Sequence, residues 1–265
     1  MSKIPKKIHY VWIGDSPKSE FILKCIESWK KHLPDFEIKE WGNDSLLNID
    51  NRYALDAYNN KKWAFASDYI RLYALFHEGG IYLDTDVEIT NKFDEFLSLD
   101  FFTCNEIYNN SCLPVTSAVM GAKKGNRIIK DLLNIYDSLE FKINDKFDLT
   151  PNTVRISEYF KTTFNILPPY FPSNQIQLVE NSIIFPSSHF CKPEIHKNNY
   201  AIHHFMGSWL TDYVRRDKFS IFNKFVLTRF KIRRDTKNYG LKENERILLK
   251  FKVSSKKIFA LILRN

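Results

Sequence analysis

The stretch from residue 62 to residue 89 constrains the fold more than any other part of the chain. Residues 62–78 carry apolar side chains at helical spacing, and the double glycine Gly79-Gly80 follows directly. Glycine at a C-cap ends a helix, so the spacing predicts a helix over 62–78. Residues 81–89 then alternate apolar and polar side chains, which predicts a strand with one apolar face and one acidic face.

The neighbouring segments extend this alternation of helix and strand. Further strands are predicted at 6–14, 36–41 and near 101–105, helices at 19–32 and 125–139, and short elements in the proline-rich segment 167–186. Alternating strands and helices predict an α/β domain with a mostly parallel sheet. Ligands of such sheets bind beyond the carboxyl ends of the strands.

Length and cysteine usage restrict the class of protein. The chain has 265 residues, of which 44% are hydrophobic, enough for one substantial core. It has no run of 18 or more apolar residues and no secretory signal at its N-terminus. Its four cysteines lack metal-binding spacing, which favours free thiols in a reducing compartment and predicts a cytoplasmic protein.

Charge divides the chain at about residue 212. Residues 213–265 contain 16 Lys and Arg but 4 Asp and Glu, whereas residues 1–212 contain 23 basic and 27 acidic residues. We therefore predict a catalytic domain at 1–212 and a basic, amphipathic, helical extension at 213–265. The extension either lies on an anionic membrane surface or packs on the body with a solvated basic face. It has no nucleic-acid-binding motif, so no nucleic acid is expected.

Two aspartates, Asp84 and Asp86, share the acidic face of the predicted strand 81–89, about 7 Å apart at the Cα. Carboxylates so close repel each other unless a cation lies beside them. A divalent ion, Mn²⁺ or Mg²⁺, would relieve the repulsion and also bind a diphosphate. The alternative is an exposed strand with solvated acids.

Two further pairs of polar residues are candidates for the same site. Asp68 and Arg71 are three residues apart on one face of the predicted helix, as an ordinary ion pair or as a ligand-binding pair. His203 and His204 lie in the β-like run 200–209, either as one core and one surface residue or as metal ligands.

Three sequence blocks together resemble the family 32 glycosyltransferases. The blocks are IPKKIHYVWIG, FASDYIRLYALFHEGGIYLDTDVEI and YAIHHFMGSW, and the resemblance spans about residues 4–210. The family includes bacterial polysaccharide transferases and, more distantly, the clostridial glucosylating toxins. The resemblance implies a GT-A fold with a mixed central sheet, and a retaining reaction.

Donor-binding roles follow from the resemblance. Val11 and Trp12 are implied to bind the donor at the end of the first strand, with Trp12 stacked on a nucleobase, uracil. Asp68 and Arg71 are implied to hold the hydroxyls of the donor sugar, and Tyr82 to pack beside the ribose. Asp68 and Arg71 are therefore also expected to be catalytic.

The resemblance also implies a metal centre. Asp84 is expected to contact the ribose and the water shell of the metal, and Asp86 to ligate the metal directly and to act in catalysis. Ser208 and Trp209 are expected to close over the diphosphate, with Ser208 at the metal. In the toxin relatives an acidic residue precedes that serine; this chain has His204 there, and whether His204 ligates the metal stays open.

Four residues of the segment 105–117 are weaker candidates. Asn105 and Glu106 lie at the end of a predicted strand within reach of the site, and Thr116 and Ser117 belong to a region near the acceptor side. Ordinary loop roles are the alternative for Thr116 and Ser117.

The function expected from these residues and from the resemblance is transfer of a hexose from UDP-galactose, UDP-glucose or an N-acetylated relative, with Mn²⁺ or Mg²⁺. The expected acceptor is a lipid-linked oligosaccharide of capsule or O-antigen type polysaccharide synthesis, at the inner face of the plasma membrane. Alternatives are a GDP-mannose-dependent transferase, a toxin-like protein glycosyltransferase, and a basic metal-, phosphate- or nucleic-acid-binding protein without catalysis.

Overall fold

The structure, a computed structural model, describes residues 3–108, 111–144, 146–206, 213–221, 225–232, 245–254 and 257–264. The chain forms two compact units, residues 1–206 and residues 207–265. Among the described residues, no helix is both long enough and apolar enough to span a bilayer.

The first unit alternates helices and strands. Its helices are α1 (Glu20–His32), α2 (Arg52–Asn59), α3 (Trp63–Glu78), α4 (Arg127–Asp137), α5 (Asn152–Phe164) and α6 (Ser187–Phe190), with 3₁₀ helices at Asn43–Asn48 and Asp94–Ser98. Its strands are β1 (Lys7–Val11), β2 (Glu37–Trp41), β3 (Gly80–Leu83), β4 (Val87–Ile89), β5 (Phe101–Cys104), β6 (Glu106–Tyr108), β7 (Ser111–Leu113), β8 (Val119–Ala122), β9 (Lys142–Ile143), β10 (Lys146–Phe147), β11 (Ile176–Gln177), β12 (Ser182–Phe185) and β13 (Ala201–His203).

A seven-stranded central sheet has the order β11-β12-β5-β8-β3-β1-β2. Strands β1, β2 and β3 are parallel, β8 runs antiparallel between β3 and β5, and β12 is parallel to β5. With β11 antiparallel to β12, five of the seven strands run in one direction. The predicted α/β fold with a mixed central sheet is confirmed.

Strand β3 is buried on both faces because helices cover both sides of the sheet. Tyr82 joins the core formed with α3, whereas Ile81 and Leu83 join a second core that contains Trp29 of α1. The strand thus sits in the middle of the unit, and its carboxyl end is fixed by packing on both sides.

The double glycine is required by the backbone between α3 and β3. Gly79 and Gly80 have φ values of 68° and 111°. A Cβ at Gly79 would lie 2.6 Å from the amide nitrogen of Lys124, and one at Gly80 would lie 2.6 Å from the carbonyl oxygen of Lys7. Both the positive φ and the close approach exclude a side chain, so the pair sets how α3 is joined to the sheet.

The single strand predicted over 81–89 is wrong. Strand β3 ends at Leu83, residues 84–86 form a turn, and β4 then pairs with β13 in a separate two-stranded sheet. The amide of Val87 donates to the carbonyl of Asp84 at 3.0 Å and closes the turn. Aspartate disfavours strands and favours turns, which explains the break.

The second unit is a four-stranded antiparallel sheet, so the predicted helical extension is wrong. Strands β14 (Tyr213–Ile221), β15 (Phe225–Ile232), β16 (Glu245–Ser254) and β17 (Lys257–Arg264) have the order β14-β15-β17-β16. In β17 the buried Ile258, Ala260 and Ile262 alternate with less buried residues. This period of two fits a strand and not a helix. The domain boundary at 212/213 remains a prediction.

Candidate functional site

Three potential metal ligands converge at the carboxyl end of β3. Asp84 and Asp86 lie in the turn after β3, and His203 ends β13, where it pairs with Val87 of β4. One ligand atom of each side chain lies within 4.8 Å of the others. The His203 Nε2 atom is 3.6 Å from Asp86 Oδ1. The two aspartates therefore converge through a turn and not through a shared strand face.

His204 points to a different partner. Its Nε2 atom is 3.0 Å from Glu88 Oε2, and its ring packs edge-on against Phe21. Adjacent side chains of an extended chain face opposite ways, so His203 and His204 cannot point to the same place. The structure thus brings His203, and not the predicted His204, to the two aspartates, and it gives Glu88 a partner. The alternation of residues 200–204 was the signal that separates the two histidines.

Asp86 is fixed by the segment that follows β13. Its Oδ2 atom accepts the amide hydrogen of Met206 at 2.7 Å, and its carbonyl accepts that of His204 at 3.1 Å. This segment leads directly to Ser208 and Trp209, which lie outside the described residues. Their predicted contacts with metal and diphosphate remain predictions.

Arg71 joins Asp68 and Asp84 in a buried network. Its Nη2 atom donates to Asp68 Oδ1 at 2.8 Å, and its Nη1 atom donates to Asp84 Oδ1 at 3.0 Å and to the Ser117 carbonyl at 2.7 Å. Only 5% of the Arg71 side chain is exposed, against 11% for Asp68 and 27% for Asp84. The guanidinium lies 4.6 Å from the ring centre of Tyr82, a cation–π contact.

The burial of this network changes its protonation. Burial raises the pKa of Asp68 to about 7, although Arg71 acts in the opposite direction. Burial tends to lower the pKa of Arg71, but the carboxylates of Asp84 and Asp68 and the Tyr82 hydroxyl outweigh it, so the guanidinium stays charged. Burial also raises the pKa of Tyr82, whose neutral hydroxyl donates to Asp84 Oδ1 at 2.9 Å.

Both described hydrogen bonds to the Asp84 carboxylate fall on Oδ1, from Arg71 and Tyr82. Within the described part of the chain, Oδ2 is therefore the oxygen that can turn to a cation or a hydroxyl. The structure buries Tyr82 to 2% exposure beneath Arg71, so it supports Asp84 directly. Its predicted contact with a ribose remains a prediction.

Val11 and Trp12 lie at the same edge of the sheet as Asp84. Strands β1 and β3 are parallel with His9 opposite Tyr82, so Val11, two residues on, is level with Asp84. Val11 is buried, whereas Trp12 is partly exposed. The Trp12 indole nitrogen donates to the Ser16 carbonyl at 3.0 Å, and Lys18 Nζ is 5.5 Å from the ring centre. The ring, and not its N–H, is therefore the part suited to a stacked base.

The segment 116–118 forms another wall of the site. The Ser117 carbonyl accepts from Arg71 at 2.7 Å, and the Ala118 carbonyl accepts from the Asp84 amide at 2.8 Å. Thr116 Oγ1 donates to Glu106 Oε2 at 2.9 Å. Asn105, in contrast, binds the backbone carbonyls of Asn174 and Phe185 and holds loops together.

The first unit has a mixed α/β sheet with an Asp-x-Asp turn at the carboxyl end of β3, which is what the resemblance to enzymes of GT-A fold predicts. Residues 19–111 match the family model described as the glycosyltransferase sugar-binding region containing a DXD motif. Asp84-Thr85-Asp86 is the DXD sequence in that segment. Residues 19–111 are therefore similar to a DXD-type glycosyltransferase sugar-binding region, and the more specific resemblance to family 32 remains a prediction.

Proteins similar over longer stretches carry related names. A protein of Acanthamoeba polyphaga mimivirus named as an uncharacterized glycosyltransferase is 26% identical over 84% of this chain and 90% of its own length. The mannosyl phosphorylinositol ceramide synthase of Saccharomyces cerevisiae is 29% identical over 45% of this chain, which spans 31% of that protein. A solved glycosyltransferase involved in glycosylation of the major capsid of PBCV-1 is 15% identical, with a TM-score of 0.43 over 76% of this chain and 94% of its own.

Proposed function

We propose that the chain is a metal-dependent, retaining glycosyltransferase that moves a hexose from a nucleotide sugar to a saccharide acceptor. The observation that carries the proposal is the convergence of Asp84, Asp86 and His203 beside the buried Asp68–Arg71 pair. A cation between two carboxylates and an imidazole at this separation would relieve their repulsion, and it would also neutralise the leaving diphosphate of a nucleotide sugar.

The donor set fits Mn²⁺ better than Mg²⁺. Mg²⁺ demands oxygen ligands in octahedral geometry, whereas an imidazole suits transition metals. A ligand spacing within 4.8 Å is close to the distance of about 4.2 Å across a cation with bonds of about 2.1 Å. Asp86 and His203 would hold Mn²⁺, with Asp84 Oδ2 turned to it or to its water. The bound ion would supply Lewis acidity to the departing diphosphate.

The described residues have distinct tasks in this scheme. Arg71 fixes the Asp84 carboxylate from a buried position, so we assign it a positioning role. Asp68 Oδ1 accepts a hydrogen bond from Arg71 at 2.8 Å. The other carboxyl oxygen of Asp68 is proposed to bind a sugar hydroxyl. Trp12 is proposed to stack on the nucleobase, and Ser208 and Trp209 to close over the diphosphate.

Two donors remain in competition. We propose a UDP-hexose on the resemblance stated above. GDP-mannose is the second candidate, because the yeast relative that is 29% identical is named a mannosyl phosphorylinositol ceramide synthase. The name of that relative also includes a ceramide lipid, which is compatible with a lipid-linked acceptor here.

We further propose that the second unit contacts an anionic membrane surface at the inner face of the plasma membrane. Strand β16 is an edge strand, and its Leu249 and Phe251 are 55% and 57% exposed. They lie two residues apart and therefore share a face, while the exposed Lys250 and Lys252 alternate with them. Exposed apolar side chains among cations suit a lipid surface with negative headgroups.

The test of the enzymatic proposal is metal-dependent donor binding and hydrolysis. Purified protein is titrated with UDP and with GDP, with and without Mn²⁺, by calorimetry. It is then incubated with UDP-glucose, UDP-galactose, UDP-N-acetylglucosamine and GDP-mannose while the release of nucleotide is measured. Binding that requires Mn²⁺, and release from one donor, are expected. A protein that binds neither nucleotide in Mn²⁺ and hydrolyses no donor is not this enzyme.

His203→Ala and His204→Ala are matched variants for the metal centre. The two histidines are adjacent, but only His203 groups with the aspartates. Loss of Mn²⁺-dependent binding in His203→Ala, with retention in His204→Ala, is expected. The opposite pattern would contradict the assignment of His203 as ligand.

A further inference from the structure

One carboxylate beside the site has no task in the scheme above. Glu106 begins β6, directly after the central strand β5, and is half-buried. Its Oε2 atom accepts the hydroxyl hydrogen of Thr116 at 2.9 Å. Thr116 is fully buried, and its Oγ1 atom also accepts the Ala118 amide at 3.3 Å. One oxygen of Glu106 is therefore held by a residue that has no freedom to move.

Thr116 ties Glu106 to the Arg71–Asp84 side of the site. The next two carbonyls of the same segment, those of Ser117 and Ala118, accept from the Arg71 guanidinium and the Asp84 amide at 2.7 and 2.8 Å. The three residues 116–118 thus contact Glu106, Arg71 and Asp84 in succession. Three consecutive residues span at most about 10 Å, so these contacts lie near one another.

A chain of aromatic contacts connects the strand of Glu106 to His203, the proposed metal ligand. Tyr108 lies two residues after Glu106 and shares its face of β6. Its ring centre is 5.0 Å from that of Phe205, and the Phe205 ring centre is 3.9 Å from that of His203. Electrostatic interactions also place Glu106 near these residues. Burial raises the pKa of Glu106, His203 and Arg71 act to lower it, and Asp84 acts to raise it.

This carboxylate has little structural reason to be where it is. Among the described residues, the hydroxyl of Thr116 is its one hydrogen-bond donor, and no lysine or arginine forms an ion pair with it. A half-buried carboxylate loses part of its hydration, and a single hydrogen bond from a neutral donor offsets only part of that free-energy cost. Groups placed in this way are typical of sites that complete their hydrogen bonds with a ligand.

We propose that Glu106 binds a hydroxyl of the donor sugar, with the carboxylate oxygen that Thr116 leaves available. The inference rests on the proposed function, since it needs a nucleotide sugar on the metal. In such a donor the sugar is joined directly to the diphosphate. Glu106 is tied through Thr116 and Ser117 to Arg71, whose partner Asp68 is proposed to hold a sugar hydroxyl, so we place Glu106 at the sugar and not at the nucleoside. A carboxylate accepts hydrogen bonds from hydroxyls, and Glu106 adds to Asp68 a second acidic contact for the sugar.

The experiment separates recognition of the sugar from recognition of the nucleotide. Glu106→Gln keeps the shape of the side chain and the hydrogen bond from Thr116 but removes the charge. Glu106→Ala removes the contact with the sugar hydroxyl. Glu158→Gln is the matched control, because Glu158 is an exposed carboxylate of α5. Each variant is tested for Mn²⁺-dependent UDP or GDP binding, whichever nucleotide wild type binds. Hydrolysis is measured with the donor that wild type hydrolyses.

Nucleotide affinity within about twofold of wild type is expected in both Glu106 variants. A hydrogen bond to a charged group contributes about 1.5–3 kcal/mol, so kcat/KM for donor hydrolysis is expected to fall about tenfold to hundredfold in Glu106→Ala. A smaller fall is expected in Glu106→Gln and none in Glu158→Gln. Thr116→Val, which leaves the carboxylate unfixed, is expected to lie between the control and Glu106→Ala.

Two outcomes would overturn the inference. Donor hydrolysis at wild-type efficiency in Glu106→Ala would show that the carboxylate does not meet the sugar. Equal losses of free-nucleotide binding and hydrolysis would show a structural or metal-supporting role. If wild type itself neither binds nucleotide in Mn²⁺ nor hydrolyses a donor, the proposed function fails, and the inference about Glu106 falls with it.

Discussion

Removal of the Arg71 guanidinium tests whether buried electrostatics hold the site together. Arg71→Met keeps most of the side-chain volume but deletes the cation that contacts Asp68 and Asp84. Both carboxylates then stay in the site without a counter-charge. The variant should therefore fold less stably and lose the fixed position of Asp84.

The size of the effect follows from burial. Arg71 is 5% exposed and Asp68 11%, so water can replace little of the lost interaction. Breaking a buried ion pair by removal of one partner typically costs about 3–5 kcal/mol of unfolding free energy. In the double variant Asp84→Asn/Arg71→Met, the stranded charge of Asp84 is also gone, whereas Asp68, whose pKa burial raises to about 7 even beside Arg71, takes up a proton once Arg71 is removed. About 1–3 kcal/mol of the loss should then return, the penalty of one unpaired charged group.

Urea denaturation of the full chain, followed by tryptophan fluorescence without metal, measures these changes. Arg52→Met is the matched control, because Arg52 also forms a 2.7 Å ion pair, with Glu140, but is 69% exposed. Exposed pairs contribute at most about 1 kcal/mol. If Arg71→Met costs no more than the Arg52 variant, or if the double variant is no more stable than Arg71→Met alone, the network is not what stabilises this region.

Three further outcomes are expected. Asp86→Asn should abolish Mn²⁺-dependent nucleotide binding in calorimetry with an unchanged circular dichroism spectrum, and full activity in the variant would refute the metal assignment. Asp68 has a folded-state pKa of about 7 against an ordinary 3.8, so wild-type stability should decline between about pH 4 and pH 7 more steeply than that of Asp68→Asn; parallel pH profiles would contradict this. Leu249→Ser/Phe251→Ser should weaken sedimentation with phosphatidylserine vesicles, whereas Leu47→Ser, an exposed leucine of the first unit, should not; equal binding by all three proteins would rule out the membrane contact through β16.

The sequence predicted what depends on local chemistry and period. The end of the helix at Gly79-Gly80 was predictable because a double glycine marks a backbone that other residues rarely adopt. Both glycines have positive φ and lie too close to neighbouring backbone atoms for a Cβ. The pair Asp68 and Arg71 was predictable as an ion pair from helical spacing alone, and it is one. Helical spacing could not predict that Arg71 also pairs with Asp84, since that contact depends on how α3 packs on β3.

The incorrect expectations have a common physical cause. The run 81–89 alternates like a strand, but two aspartates in its middle favour a turn, and the separate strand β4 has its partner more than 100 residues away in β13. The tail was expected to be helical because its apolar and basic residues mix at helix-like spacing. Its four described strands, β14 to β17, pair antiparallel, and such tertiary pairing decides whether a sequence with both periods forms a helix or a strand.

The break after Leu83 has a consequence for the site itself. Asp84 is held by the central sheet and its helix through Arg71 and Tyr82, whereas Asp86 is held by the chain after β13, through Met206 and His203. A cation that contacts both aspartates therefore links the central sheet to the segment that leads to Ser208 and Trp209. If those two residues close over the diphosphate, metal binding and closure share the Asp86 carboxylate. Metal-free protein should then bind nucleotide poorly even though Trp12, which is proposed to stack on the base, is intact.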